Sequence, residues 1–149
     1  MKQQQEYTDK IIEGAKEAYQ YLGQLNLHIV QCSDDVGTSP EGKIKAVIQA
    51  DIDIVKYDLR NLHSAITTYQ AIEKEEDIET LETLIDITIN AIVDVATHRL
   101  NKLTKDINIC FDTAGGMLIS ASKTNLKCVK KALQKIKRCQ ASHRARVAQ

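Results

Sequence analysis

Apolar residues recur every three or four positions through four stretches of the chain, with polar residues between them. In the first stretch Ile11, Ala15, Ala18, Leu22, Leu25 and Ile29 follow one another at alternating spacings of 4 and 3. This is the period of one helix face turned towards a core. Thr8 is placed to cap its start, and the stripe ends just before Cys32. Residues 33–39 (Ser-Asp-Asp-Val-Gly-Thr-Ser) read as a loop. Ser39-Pro40-Glu41 then predicts a helix start, with Ser39 as N-cap, Pro40 in the first helical position and Glu41 at the favourable end of the dipole. The second stripe is Ile44, Ile48, Ile52, Val55, Leu59, Leu62, Ile66 and Tyr69. The third is Leu81, Ile85, Ile89, Ile92, Ala96, Leu100, Leu103 and Ile107, and Gly115-Gly116 is expected to end it. The fourth runs through Leu126, Val129, Ala132, Leu133 and Ile136.

These patterns predict one all-α domain over residues 1–149, an antiparallel bundle of about four helices near 8–31, 40–73, 77–113 and 123–140. Residues 141–149, with Arg144 and Arg146, read as a polar, mobile tail. Met117 to Ser122 reads as a helical turn or an irregular connection. The second and third helices are long enough that a kink is expected in at least one.

Composition agrees with this picture. Hydrophobic residues are 43% and charged residues 27%, with one proline and six glycines, too few for the turns of a β-sandwich or barrel. Isoleucine occurs 18 times, phenylalanine once and tryptophan not at all, so the core is aliphatic. Tyr19 and Tyr69 read as core or core-edge. No run of 18 apolar residues predicts a membrane span, and the first six residues lack the apolar run of a signal peptide. The start therefore fits a cytosolic protein or a mature secreted chain. Four cysteines, an even number, favour the secreted reading.

Cys128 and Cys139 are eleven residues apart, about 16 Å along an intact helix, so they cannot bond each other. Cys110 and Cys128 flank the predicted turn between the last two helices symmetrically. That arrangement favours two disulfides, Cys110–Cys128 and Cys32–Cys139, over the alternative Cys32–Cys128 with Cys110–Cys139. A zinc site using His28 and Cys32 lacks the C-x-x-C knuckle that structural zinc sites supply, and no metal or other cofactor is expected.

Charge changes the picture more than composition does. The net charge is zero, yet residues 1–112 hold all 20 acids and 11 bases, while residues 113–149 hold nine bases and no acid. On a helical wheel Lys123, Lys127, Lys130, Lys131, Lys135, Lys137 and Arg138 fill one arc, opposite the fourth apolar stripe. Such a basic amphipathic helix reads as a docking face for an anionic partner. The competing reading is that these lysines balance acids inside the bundle, such as Glu73, Glu75, Glu76, Asp77, Glu79 and Glu82. Nucleic acid is disfavoured, because the face carries no aromatic residue for base stacking. Asp86 and Asp94 read as part of a solvated face. No G-x-G-x-x-G, Walker A, H-E-x-x-H or G-x-S-x-G motif occurs, no Glu-x-x-His pair of the di-iron bundle type is present, and no enzymatic activity is expected.

One cysteine at the end of the first helix (Cys32), three in the C-terminal third (Cys110, Cys128, Cys139) and the basic run Lys127 to Arg138 form a layout. It resembles the small salivary proteins of blood-feeding Diptera, in particular the anopheline complement inhibitors of the albicin and anophensin type. The resemblance implies a secreted, non-enzymatic inhibitor of a host defence cascade, with the C3 convertase of the alternative complement pathway as its plasma partner. Two other readings stay open: a cytosolic helical adaptor or effector with free thiols, and a helical bundle that opens around a lipid.

Overall fold

The four stripes become four helices in the computed structural model, which describes residues 2–31, 40–72, 78–111 and 116–148. They are α1 (Lys2–Gln31), α2 (Pro40–Ile72), α3 (Ile78–Phe111) and α4 (Gly116–Ala148), and no strand occurs among the described residues. Each helix packs on the next in chain order, and α4 closes the ring against α1, leaving α1 diagonal to α3 and α2 to α4. The chain is an all-α, four-helix bundle.

The stripes supply the core. Every residue of the first stripe is at most 2% exposed, and Leu126, Val129, Ala132, Leu133 and Ile136 of α4 are at most 3% exposed. In α3 the pattern shifts by one place: Val93 is fully buried and Ile92 only partly. Spacings 92 and 93 straddle the 3.6-residue period, so either could have faced the core. Tyr19 and Tyr69 pack at the core edge, Tyr69 sharing a 3.1 Å hydrogen bond with Thr88.

Several expectations are corrected. Thr8 is not a cap: α1 begins six residues earlier at Lys2, and Thr8 Oγ1 donates back to the carbonyls of Gln4 and Gln5 at 3.0 and 3.1 Å. α2 and α3 are continuous α-helices of 33 and 34 residues, the lengths at which a kink is expected. Gly116 is the first residue of α4, so Met117 to Ser122 are helical, and residues 141–148 continue α4 rather than forming a loose tail. The Ser39 cap, the 33–39 loop, Gly115 and Cys32 lie outside the described residues. Pro40 does open α2.

Polar contacts fix the ends. The Lys45 ammonium, on a residue only 4% exposed, donates to the Val30 carbonyl at 3.3 Å, so the end of α1 is held by a cation where its dipole is negative. At the opposite end Gln70 Nε2 donates to Thr8 Oγ1 and Asp9 Oδ1 at 2.8 and 2.7 Å. Between α2 and α3, Lys102 bonds Asp51 at 3.0 Å and Arg99 meets Asp58 at 3.7 Å. The hydrogen bond to Asp51 holds the Lys102 ammonium above its ordinary range. Burial pushes the Asp58 carboxyl up, with Arg99 opposing.

Cys128 and Cys139 are free thiols. Each expected bridge uses one of them, so neither Cys110–Cys128 nor Cys32–Cys139 is formed in this structure; the side chain of Cys110 and the whole of Cys32 lie outside the described residues. Cys139 sits at the level of Lys10.

Candidate binding surface

α4 meets its two neighbours differently. Against α1 the contact is close and apolar. Gly14 is buried there, and a β-carbon at that position would lie 2.7 Å from Ile136 Cγ1. Against α3 the seam is polar over the last third of α4. Glu82, Asp86, Asn90 and Asp94 recur every four residues on α3 and therefore share a face. They meet His143, Gln140, Arg144 and Lys137. His143 Nε2 lies 2.6 Å from Glu82 Oε1. Gln140 Nε2 donates to Asp86 and Asn90 at 3.1 and 3.2 Å. Arg144 Nε donates to Asp86 at 3.1 Å, and the Lys137 ammonium reaches Asn90 at 2.8 Å and Asp94 at 3.4 Å. The imidazole of His143, itself 6% exposed, stacks on Tyr7 of α1 with centroids 3.9 Å apart and rings 8° from parallel. Burial pushes the Tyr7 hydroxyl far up, with Asp86 adding to the effect.

This ladder divides the basic residues of α4 into two groups. Lys137 and Arg144 face acids, as the balancing reading requires, although the acids are Asp94 and Asp86. Of the acidic cluster at the α2–α3 connection, Glu73, Glu75, Glu76 and Asp77 lie outside the described residues. The remaining basic residues point elsewhere. Lys123, Lys127, Lys131, Lys135 and Arg138 are exposed and Lys130 half-buried. Lys130 is spent on Thr104 Oγ1 at 2.9 Å, and Lys135 meets Glu17 only at 3.9 Å. Lys123, Lys127, Lys131 and Arg138 make no ion pair among the described residues. Of these, Lys127, Lys131 and Arg138 are spaced 4 and 7 residues apart, so they line one outward face of α4. Beside them a groove of about 250 Å³ between α3 and α4 is edged by Thr104, Asn108, Lys123, Lys127 and Lys130. The surface is cationic and unmatched, suited to an anionic group presented by a partner.

On the far side of α4, Cys139 is half-buried. Burial pushes its thiol up, and Lys10 and Arg146 pull the other way. The alkylation rate of Cys139 by iodoacetamide, followed by peptide mapping, is therefore expected to keep rising with pH beyond the point where an unperturbed thiol levels off. Arg146→Gln should move that rise to still higher pH. A rate that levels off at the ordinary thiol value in both proteins would show that neither burial nor the cations govern it.

Among the described residues no group of three or more His, Cys, Asp and Glu is placed to hold a metal ion. With Cys32 outside them, the His28–Cys32 pair is not described. No described helix is long and apolar enough to cross a membrane. Searches against protein-family models, curated proteins and solved structures found no match to this chain. The fold and surface define a class only: a four-helix bundle with one unmatched cationic face.

Proposed function

We propose that this chain is a non-enzymatic binding protein that docks an acidic surface of a partner protein on the outward face of α4. The observation that carries this reading is the set Lys123, Lys127, Lys131 and Arg138, exposed on a helix with no acidic residue and without ion pairs among the described residues. Side chains that served only to neutralise the bundle would be expected against its acids, as Lys137 and Arg144 are. An unmatched face on a rigid helix steers an oppositely charged partner and sets the on-rate of docking. The sequence layout extends the proposal to a secreted inhibitor of a host defence cascade, acting on the alternative-pathway C3 convertase. A lipid carrier is less well supported, because the aliphatic stripes form one closed hydrophobic cluster. The cytosolic-adaptor reading would use the same face, and intact mass with and without reduction separates the two by their disulfides.

The test compares the wild-type chain with the quadruple variant Lys123→Gln, Lys127→Gln, Lys131→Gln and Arg138→Gln in alternative-pathway haemolysis and in direct binding to the assembled convertase. Exposed charge contacts contribute a few tenths to 1 kcal/mol each, so the variant should bind about tenfold more weakly, with a flatter dependence on salt. Equal affinity at low and moderate salt would reduce the face to solvation. No effect of the wild-type chain on haemolysis would remove the convertase as the target.

A further inference from the structure

The seam between α1 and α4 opens into a groove of about 440 Å³, whose lining includes His143 of the α3 ladder. This is within the size range of small-ligand sites. Gly14 contributes bare backbone to its wall, the Tyr7 ring and the Cys139 thiol supply apolar surface, and Lys10, Arg138 and Arg146 stand around it. The groove is electropositive. Its acids are Glu6 and Glu13, against the cations Lys10, Lys135, Arg138 and Arg146. Of these cations only Lys135 is engaged, with Glu17, and the other three make no ion pair among the described residues. Lys10 comes from α1 and Arg146 from α4, and the two line the groove together with Cys139. Near it the Tyr7 hydroxyl is buried with no hydrogen-bond partner, although a buried phenol ordinarily has one.

We propose that the α1–α4 groove is a binding site for a small organic anion. Its carboxylate, phosphate or sulfonate group lies between Lys10 and Arg146, and its aromatic or aliphatic body lies against Tyr7, Cys139 and the backbone at Gly14. The groove shares Arg138 with the docking face, but Lys10 and Arg146, which hold the anionic group, are not part of that face.

The probe is 8-anilinonaphthalene-1-sulfonate, titrated by fluorescence against the full chain. N-phenyl-1-naphthylamine, which has the same rings and no sulfonate, runs in parallel. Laurate and inorganic phosphate serve as competitors. The site predicts saturable one-to-one binding of the sulfonate, displacement by laurate, and binding of the neutral amine at least tenfold weaker. Lys10→Gln and Arg146→Gln, both at exposed positions, should each weaken the sulfonate about fivefold. Lys127→Gln with Lys131→Gln should leave it unchanged, whatever that pair does to partner docking. Bound sulfonate should also slow alkylation of Cys139. Equal binding of the neutral amine, no saturation, or wild-type affinity in both Lys10→Gln and Arg146→Gln would overturn the site. Displacement by phosphate as effective as by laurate would overturn the role of the apolar body.

Discussion

Gly14→Leu is expected to destabilise the bundle by about 3 kcal/mol, lowering the thermal midpoint by roughly 6–12 °C for a domain of this size. A β-carbon at position 14 would stand 2.7 Å from Ile136 Cγ1 and 3.1 Å from its Cδ1, and Ile136 is only 1% exposed. The isoleucine has no solvent to retreat into, so α1 and α4 must separate or the core must repack. Gly23 in the same helix provides the control, because nothing lies within 4 Å of a β-carbon there. Gly23→Ala should stabilise by up to about 1 kcal/mol through helix propensity alone. Gly14→Ala gains the same propensity and loses more to crowding, so the two alanine substitutions should have opposite signs in chemical denaturation. Truncating the neighbour checks the cause: Ile136→Ala should cost less in the Gly14→Leu background than in the wild-type chain. A Gly14→Leu protein as stable as the parent would show that the seam has slack.

His143→Ala is expected to cost about 3 kcal/mol, a loss made of three parts. The substitution removes a hydrogen bond to a carboxylate 2.6 Å away, breaks the ring stack on Tyr7 and leaves a void where a residue 6% exposed had been. It also strands Glu82, whose side chain is 18% exposed. His143→Phe separates the parts, since it keeps a ring on Tyr7 and loses the bond to Glu82. Glu82→Gln keeps an acceptor facing the imidazole and should cost the least of the three. If His143→Ala shifts the denaturation midpoint by the equivalent of less than about 0.5 kcal/mol, the end of α4 does not hold the bundle together. Its last two turns would then be dispensable.

The two predictions come from regions of unequal legibility. The Gly14 seam lies inside the apolar pattern: Ile11, Ala15 and Ala18 on one side and Ala132, Leu133 and Ile136 on the other are stripe residues, and the structure buries all of them. Sequence periodicity is a record of apolar burial, and where burial is apolar it reads well. The His143 region is buried through polar side chains. Gln4, Thr8, Gln140 and His143 are all at most 6% exposed, and by apolar periodicity each counts as a surface position. The start of α1 therefore looked like a cap at Thr8, and the end of α4 looked like a tail from residue 141.

One signal was present and needed a partner to interpret. Glu82, Asp86, Asn90 and Asp94 form a four-residue repeat on α3, and Lys137, Gln140 and Arg144 follow at intervals of 3 and 4 on α4. Each series alone looks like a solvated face. Only their juxtaposition, set by the tight α1–α4 contact, turns them into a seam. The same limit applies to the basic residues. The wheel placed Lys123, Lys127, Lys130, Lys131, Lys135, Lys137 and Arg138 in one arc, and it had no means of separating Lys137 and Lys130, which bond α3, from those left open to solvent. The Tyr7–Cys139 groove was illegible for a further reason: it joins residues of the first and last helices that no local pattern connects.

Segregation of charge onto one helix has an electrokinetic consequence. The formal charge of the whole chain is zero, so near neutral pH it should scarcely migrate in a uniform field and should repel its own copies only weakly. Yet every acid precedes α4 in the chain and the open cations stand along one side of that helix, which gives the molecule a transverse dipole. Beside a negatively charged matrix it should rotate to present α4 and be retained by a cation exchanger on which a protein of evenly mixed charge and the same isoelectric point would pass through.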